Sequence, residues 1–331
     1  MKKLFFSLVA LTIATVSYSQ SSMLATLSHD GEISTFYGAT ALKSAFEAAS
    51  DGDVITLSSG SFNAIDLTKS VTIRGAGMAI DSLTQAEPTV ITGDFKISIP
   101  DSVSKRLTLE GIYNNQTIKI DGTLNNATFL KSRFNKIEYI NDSSVNNLTM
   151  IHCRVSNGIN INKGSASIVN SLICNPEIHN QSNIEYINSI VIKTSWYRDF
   201  LGYSQFKNCI LVALGNSSNY LEPANIAYNC VAVGNTTDMF KNIPNTTNKI
   251  KSYDEIFKTY TGSYNDNELF ELTDDAVTTL LGLDGTQVGI YGGNLPYSST
   301  PTNPQITKCN VAAKSTADGK LSVDITVNGA E

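Results

Sequence analysis

The sequence predicts an all-β protein, a parallel β-helix of about ten coils. Three observations lead to this prediction: a motif that recurs every 18 to 21 residues, a turn position within it that is mostly glycine or asparagine, and an excess of asparagine. Of the 331 residues, 32 are asparagine, and 25 of these lie between residues 114 and 248. A chain of this length normally forms two domains, but a repeat over most of it indicates one solenoid.

The recurring motif has an apolar residue, any residue, a turn residue and then a position that is often small, as in Ile168-Val169-Asn170-Ser171. Glycine and asparagine adopt positive φ most easily, and histidine is also enriched there. We therefore expect a left-handed bend at the same point of every coil, and Lys131 fits this expectation least well. The turn positions, here called the turn column, are Gly75, Gly93, Gly111, Lys131, His152, Asn170, Asn188, Asn208 and Asn229.

A second apolar run follows many of these turns. Its residues are two apart, as in Ile118/Ile120, Ile137/Tyr139 and Ile159/Ile161, which is the spacing of a strand. No helical periodicity is sustained. Short strands that stack ~4.8 Å apart would make a rod about 45–50 Å long.

The segment 41–75, ALKSAFEAASDGDVITLSSGSFNAIDLTKSVTIRG, resembles the N-terminal entry of right-handed parallel β-helix proteins of the pectate-lyase-like superfamily. The resemblance implies a capping helix over 41–49 with Leu42, Ala45, Phe46 and Ala49 on one face. Leu283–Gly293 resembles the last coil of such proteins. The superfamily includes lyases, hydrolases, adhesins and non-catalytic modules, so the resemblance implies a fold and not an activity.

The ends of the chain lie outside the repeat. Residues 1–19 read as a bacterial signal peptide, with Lys2 and Lys3 before a short apolar stretch and Ser17-Tyr18-Ser19 before the cleavage point. We therefore expect an extracytoplasmic protein, in the periplasm, at the cell surface or secreted. The β-helix would occupy 20–293, including an aperiodic cover at 240–282 with weak helices at 253–260 and 276–281.

A proline-rich linker at 294–304 would lead to a β-hairpin at 305–331. Its strands would be 305–313 and 321–327, joined by a turn at Ala317-Asp318-Gly319. The hairpin would either fold back on the rod or serve as a contact module.

Composition limits the function classes. Only 16% of the residues are charged, the formal net charge is −6, and no basic patch is present, which excludes nucleic acid as a partner. No segment after the leader has the length and apolarity of a membrane span. Neither a metal site nor a cofactor is predicted, because the histidines are scattered and no CxxC spacing occurs.

Hydrolysis of glycosides needs paired carboxylates, yet only Glu138, Asp142, Glu177 and Glu185 lie between residues 122 and 198, at unrelated points of their coils. Asp274 and Asp275 are adjacent, but Thr273 before them indicates a helix N-terminus.

A lyase needs a basic residue beside the sugar. The best basic cluster is Lys131, Arg133, His152 and Arg154, at matching points of adjacent coils. This cluster would be either a solvated lateral face or a site for an anionic sugar, and it is the alternative catalytic candidate.

A ligand site is predicted where the repeat is interrupted, at 194–204. Aromatic and charged residues gather there and suit stacking on sugar rings and hydrogen bonding to hydroxyls. The alternative is a loop that covers its own core. The candidate ligand-binding residues are Trp196, Tyr197, Arg198, Asp199 and Tyr203.

Four apolar residues, Leu172, Ile190, Ile210 and Val231, follow the turn column at a position that should point outward. Such a stripe needs a cover. We expect the aperiodic tail to supply it through Phe257, Leu269, Leu272, Leu280 and Leu281, and a protein partner is the alternative.

Cysteines 209 and 230 share a position in neighbouring coils. Their spacing favours a buried ladder of thiols and hydroxyls, continued by Ser171 and Ser189, over a disulfide.

Together these observations favour a non-catalytic carbohydrate-binding or surface-interaction protein, whose partner is a polysaccharide or surface glycan. A polysaccharide lyase or glycoside hydrolase that acts on an acidic polysaccharide is the alternative. A purely structural envelope protein is a third possibility.

Overall fold

The computed structural model describes residues 23–81, 84–103, 106–193, 203–215, 220–234, 238–243, 247–265, 267–312 and 314–328. It is a parallel β-solenoid of about nine coils, one fewer than expected, with 47% strand and 7% helix. The all-β prediction is confirmed. None of the helices within the described ranges is long and apolar enough to cross a membrane.

Three helices occur in the described part of the chain: α1 Ala41–Ala48, α2 Tyr253–Ile256 and α3 Asp274–Thr279. The strands of the first half are β1 Leu24–His29, β2 Glu32–Tyr37, β3 Val54–Leu57, β4 Gly60–Asn63, β5 Thr72–Arg74, β6 Thr89–Thr92, β7 Phe95–Ile97, β8 Thr108–Glu110, β9 Ile112–Asn125, β10 Thr128–Leu130, β11 Arg133–Ile151 and β12 Arg154–Val155. The remaining strands are β13 Asn160–Val169, β14 Leu172–Cys174, β15 Glu177–Ile187, β16 Ile190–Lys193, β17 Tyr203–Lys207, β18 Ile210–Ala213, β19 Ile226–Tyr228, β20 Val231–Gly234, β21 Lys249–Lys251, β22 Gln305–Val311 and β23 Val323–Asn328.

The solenoid strands form three faces. The first face holds the strands that precede the turn column, which pair in parallel from β3 and β5 through β8 and β10 to β19. The second face holds the strands that come next in each coil, from β4 and β6 through the starts of β9 and β11 to β12, β14 and on to β21. The third face holds the second apolar run, and there Phe95, Ile118 and Ile137 stack in register.

Seven positions of the turn column adopt the expected left-handed conformation, including Lys131 with φ of 45° and His152 with φ of 53°. The prediction was wrong for Gly93, which follows β6; because β6 pairs with β4 and β9, Gly93 lies at a different corner of the coil, and Gly111 comes directly after Gly75 in the column. Gly75 lies in the column but does not have positive φ. A Cβ at Gly75 would collide with the carbonyl oxygen of Gly111 in the next coil, so glycine is required there by close approach between coils.

The N-terminal cap differs in one respect from the expectation. Helix α1 is present, and its predicted face of Leu42, Ala45, Phe46 and Ala49 is buried. An antiparallel hairpin of β1 and β2, which the sequence analysis did not predict, pairs with β3. The hairpin and the helix together cover the open edge of the first coil.

A ladder of small polar side chains runs through the core beside the turn column. The Oγ of Ser171 donates to the carbonyl of Val169 at 2.8 Å and accepts from the backbone N–H of Cys153 at 3.0 Å. Cys209 and Cys230 are buried free thiols, and each bonds to carbonyl oxygens of its own coil and of a neighbouring coil. The predicted thiol and hydroxyl ladder is therefore confirmed, and burial raises the pKa of Cys209.

The aperiodic tail covers the apolar stripe of the second face, as predicted. Leu172, Ile190, Ile210 and Val231 are buried in a second hydrophobic cluster together with tail residues. Phe257, Leu272 and Leu280 belong to this cluster, but Leu269 and Leu281 are 55% and 43% exposed, so the prediction was wrong for these two. Helix α3 begins at Asp274 with Thr273 as its N-cap, as expected.

Residues 281–304, here called the strap, run along the turn column in the direction opposite to the order of the coils. The side chain of Asn229 donates to the carbonyl of Leu281, and that of Asn170 donates to the carbonyls of Ile290 and Gly292. Lys131 donates to the carbonyl of Thr300, and Asn303 donates to that of Gly75. Leu283–Gly293 is thus part of this strap, and its assignment as a last coil was wrong.

The C-terminal hairpin of β22 and β23 forms a separate antiparallel sheet, joined by a turn at 316–320. Val311, Val323, Ile325 and Val327 are all about half exposed.

Candidate functional site

Two arginines lie side by side on the second face, just after the turn column. Arg133 begins β11 and Arg154 begins β12, and the two are register partners in adjacent parallel strands. The guanidinium of Arg133 lies 4.4 Å from the ring centre of Tyr113, which is one coil further toward the N-terminus. The repeat therefore places two cations in neighbouring coils, at the end of the stripe where the apolar residues begin.

The strap and the tail close over these arginines and leave a cleft. The cleft has a volume of about 350 Å³. Its described lining residues are Met78, Ala79, Arg133, Arg154, Asn267, Leu269, Tyr291, Tyr297, Ser298, Ser299 and Thr300. This lining set contains two arginines, two tyrosines, three aliphatic hydroxyls and no acid.

Arg154 is held rigidly at the cleft wall and is only 7% exposed. Its Nε donates to the hydroxyl of Tyr297 at 2.9 Å, and its Nη2 donates to the carbonyl of Glu268 at 2.9 Å. The interpretation of this cluster as a solvated lateral face was therefore wrong for Arg154. The tail, which has no repeat and gives no sequence signal for its route, covers it.

Lys131 and His152 belong to the same cluster but hold the strap. The Nζ of Lys131 donates to Thr300 at 3.0 Å, and the Nε2 of His152 lies 2.9 Å from the carbonyl oxygen of Leu295. A carbonyl only accepts, so Nε2 carries the proton and His152 is in its Nε2–H form. Burial lowers the pKa of both side chains, and the charge of Lys131 lowers the pKa of His152 further.

Tyr291 and Tyr297 form the aromatic side of the cleft, with ring centres 6.2 Å apart at nearly perpendicular planes. Burial raises the pKa of both phenols, against the opposing effect of Arg154. Both therefore stay protonated at neutral pH. Because the Tyr297 oxygen accepts from Arg154, its own proton is available to donate to a ligand.

The other predicted ligand site is described only in part. Trp196, Tyr197, Arg198 and Asp199 lie outside the described residues. Tyr203 begins β17 and is 38% exposed. It lies on the first face, whereas the cleft lies on the second, so Tyr203 is separate from the basic cluster.

The cleft residues that sequence reasoning missed come from the strap, from the loop before α3 and, for Met78 and Ala79, from the segment between β5 and β6. Tyr291, Tyr297 and the run Ser298-Ser299-Thr300 were passed over as a presumed last coil and linker. Among the described residues, no three histidine, cysteine, aspartate or glutamate side chains come together as a metal site requires.

No protein-family model, no curated protein and no solved structure matches this chain. The geometry of the described residues is therefore the basis for any functional inference.

Proposed function

We propose that this is a non-catalytic carbohydrate-binding protein that holds an acidic sugar in the cleft under the strap. The observation that carries the proposal is the pair of guanidinium groups, Arg133 and Arg154, in an acid-free lining. Arginine presents planar donors that match a carboxylate in two-point geometry. A negatively charged group on the ligand is thus the chemistry that this wall of the cleft recognises.

The rest of the lining favours a sugar over a simple anion. Tyr291 and Tyr297 offer aromatic surface of the kind that packs on the apolar face of a sugar ring. Ser298, Ser299 and Thr300 offer hydroxyls that donate and accept, which suits a polyhydroxylated ligand. A volume of about 350 Å³ lies at the small end of ligand pockets, which fits one or two sugar rings. A uronate residue meets all of these requirements, because it has a carboxylate, an apolar ring face and several hydroxyls.

Binding is favoured over catalysis because the basic side chains of the cluster are otherwise engaged, and because burial raises the pKa of Tyr291 and Tyr297, which makes both phenols weak proton donors. Lys131 and His152 bond to strap carbonyls and do not line the cleft. The arginines remain charged at any ordinary pH. A lyase or hydrolase that acts on an acidic polysaccharide remains the alternative outcome of the test below.

The cellular setting is part of the proposal. Residues 1–19 have the pattern of an export signal, which favours an extracytoplasmic location where glycans are encountered. The β-solenoid, together with the entry motif at 41–75, supports kinship with the pectate-lyase-like superfamily, which includes non-catalytic members.

The test is calorimetric titration of the protein with trigalacturonate and with the neutral galactose trimer. We expect saturable binding of the acidic trimer that weakens as salt is added, and no binding of the neutral one in the cleft. Arg133→Gln and Arg154→Lys should each weaken binding at least ten-fold. Arg106→Gln, at an exposed arginine away from the cleft, is the matched control.

Equal binding by Arg133→Gln, Arg154→Lys and the control would contradict the proposal. The same samples should be followed for unsaturated products by ultraviolet absorbance, with and without Ca²⁺. Turnover that is lost in Arg154→Lys would replace the binding function with a lyase.

A further inference from the structure

A second concavity, here called the polar groove, lies on the first face. It has a volume of about 390 Å³ and is separate from the cleft. The residues that carry the argument are Ser165, Ser167, Asn183, Glu185, Tyr203 and Gln205, from strands β13, β15 and β17.

The register of the strands arranges these side chains in two straight columns. Ser165, Asn183 and Tyr203 are successive register partners and form one column. The second column, two residues further along each strand, is Ser167, Glu185 and Gln205. The residues between the columns point into the core, so the paired columns face outward at a spacing of ~4.8 Å per coil.

A glycine shapes one end of the polar groove. Gly164 has φ of 108°, and a Cβ there would collide with the carbonyl oxygen of Val145 in the preceding coil. The coils therefore approach each other more closely at this point than a side chain would permit. Next to it, the Oγ of Ser165 accepts from the backbone N–H of Asn147 at 3.0 Å, and Asn147 also lines the groove.

The chemistry of the polar groove is that of neutral hydrogen bonding. Amides and hydroxyls both donate and accept, and the phenol ring of Tyr203 adds aromatic surface at one side. The one carboxylate, Glu185, bonds to the Nζ of Lys207 at 2.6 Å. No arginine is among the described residues that line it, so a polyanionic ligand would meet no compensating guanidinium.

We propose that the polar groove binds a neutral oligosaccharide whose chain follows the solenoid axis, with one sugar per coil. The spacing between coils is close to the length of one linked sugar ring in an extended chain. Each sugar would then meet an equivalent pair of polar side chains, and Tyr203 would stack on one ring. This site is independent of the acidic-sugar cleft, because it lies on a different face and uses none of its residues.

The test titrates the full chain with cellotetraose, cellobiose and trigalacturonate, followed by saturation-transfer NMR and calorimetry. The tetrasaccharide should bind at least ten-fold more tightly than the disaccharide, because it spans more coils. Tyr203→Ala and Gln205→Ala should each reduce tetrasaccharide affinity at least five-fold. Arg154→Lys should leave this affinity unchanged while it weakens trigalacturonate binding in the cleft.

The matched control is Thr72→Ala, which removes an outward hydroxyl from the same strand position several coils away. A second variant, Ser167→Trp, fills the polar groove instead of removing a contact and should abolish binding. Circular dichroism would show that each variant keeps its β content. Absence of saturable tetrasaccharide binding would overturn the inference, as would binding that survives Tyr203→Ala, Gln205→Ala and Ser167→Trp.

Discussion

The Nζ of Lys131 donates a hydrogen bond of 3.0 Å to the carbonyl oxygen of Thr300, which lies 169 residues later in the chain. This contact gives a reason for lysine at a turn position that otherwise favours glycine or asparagine. The backbone there has φ of 45°, a conformation that costs a lysine free energy. The long side chain reaches the strap, where it holds the segment that supplies Ser298, Ser299 and Thr300 to the cleft.

We therefore predict that Lys131→Gly loosens the strap without disturbing the coil. Glycine adopts the left-handed turn without strain and has no side chain to donate to Thr300. Hydrogen–deuterium exchange should rise at 295–304, while exchange in β10 and β11 stays close to that of the wild type. Unchanged exchange in the strap would show that the Lys131 contact does not hold it.

The second prediction concerns acid sensitivity at His152. Its folded-state pKa is lowered from 6.5 by burial, so the unfolded state binds the proton more tightly. The contribution of His152 to the free energy of unfolding is therefore complete above about pH 6.5. It is lost as the pH falls through the lower pKa of the folded state. Its Nδ1 has no hydrogen-bond partner among the described residues, so protonation there adds an uncompensated charge.

The Tm of the wild type should fall as the pH is lowered from about 7 to about 5, and the fall should be smaller in His152→Asn, which keeps the left-handed turn. His29 provides an internal contrast. Its hydrogen bond with Asp53 raises its pKa, so its contribution is present in acid and lost as the pH rises. Imidazole NMR titration should place His152 below 6.5 and His29 above it, and the reverse order would contradict the prediction.

The third prediction tests the cover over the apolar stripe. Phe257 is 3% exposed and packs among aromatic rings, with its own ring centre 5.3 Å from that of Tyr260. Phe257→Ala should lower the free energy of unfolding by about 3–5 kcal/mol, because it leaves a cavity. Leu281→Ala, at a largely exposed tail position, should change it by only about 0.5 kcal/mol. Urea denaturation measures both, and equal losses would indicate that the cover packs differently.

The fourth prediction separates two reasons for glycine in the coils. Gly164 and Gly122 both have positive φ, but only at Gly164 would a Cβ meet the backbone of the preceding coil. Gly122→Ala should lower the free energy of unfolding, measured by urea denaturation, by about 1–2 kcal/mol because of its backbone conformation alone. Gly164→Ala should lower it by clearly more. If Gly164→Ala lowers the free energy of unfolding no more than Gly122→Ala does, the coils can separate at Gly164.

The solenoid could be predicted from the sequence because its determinants are local. Positive φ at Asn170 or His152, and burial of alternate apolar residues, follow from preferences that repeat with every coil. The covering of Arg154 could not be predicted, because it depends on contacts with Glu268 and Tyr297 more than 100 residues away. No period marks those residues, and apolar character alone did not distinguish buried Leu280 from exposed Leu281.

The route of the strap has a mechanical consequence. In most solenoids each coil touches only its neighbours, so unfolding can begin at one end and stop between coils. Here the strap bonds to coils from Asn229 to Gly75, and any separation of coils along that length must also detach it. Tension along the axis would therefore be shared between the stacked strands and a second, antiparallel run of chain, and the rod should yield as a whole and not coil by coil.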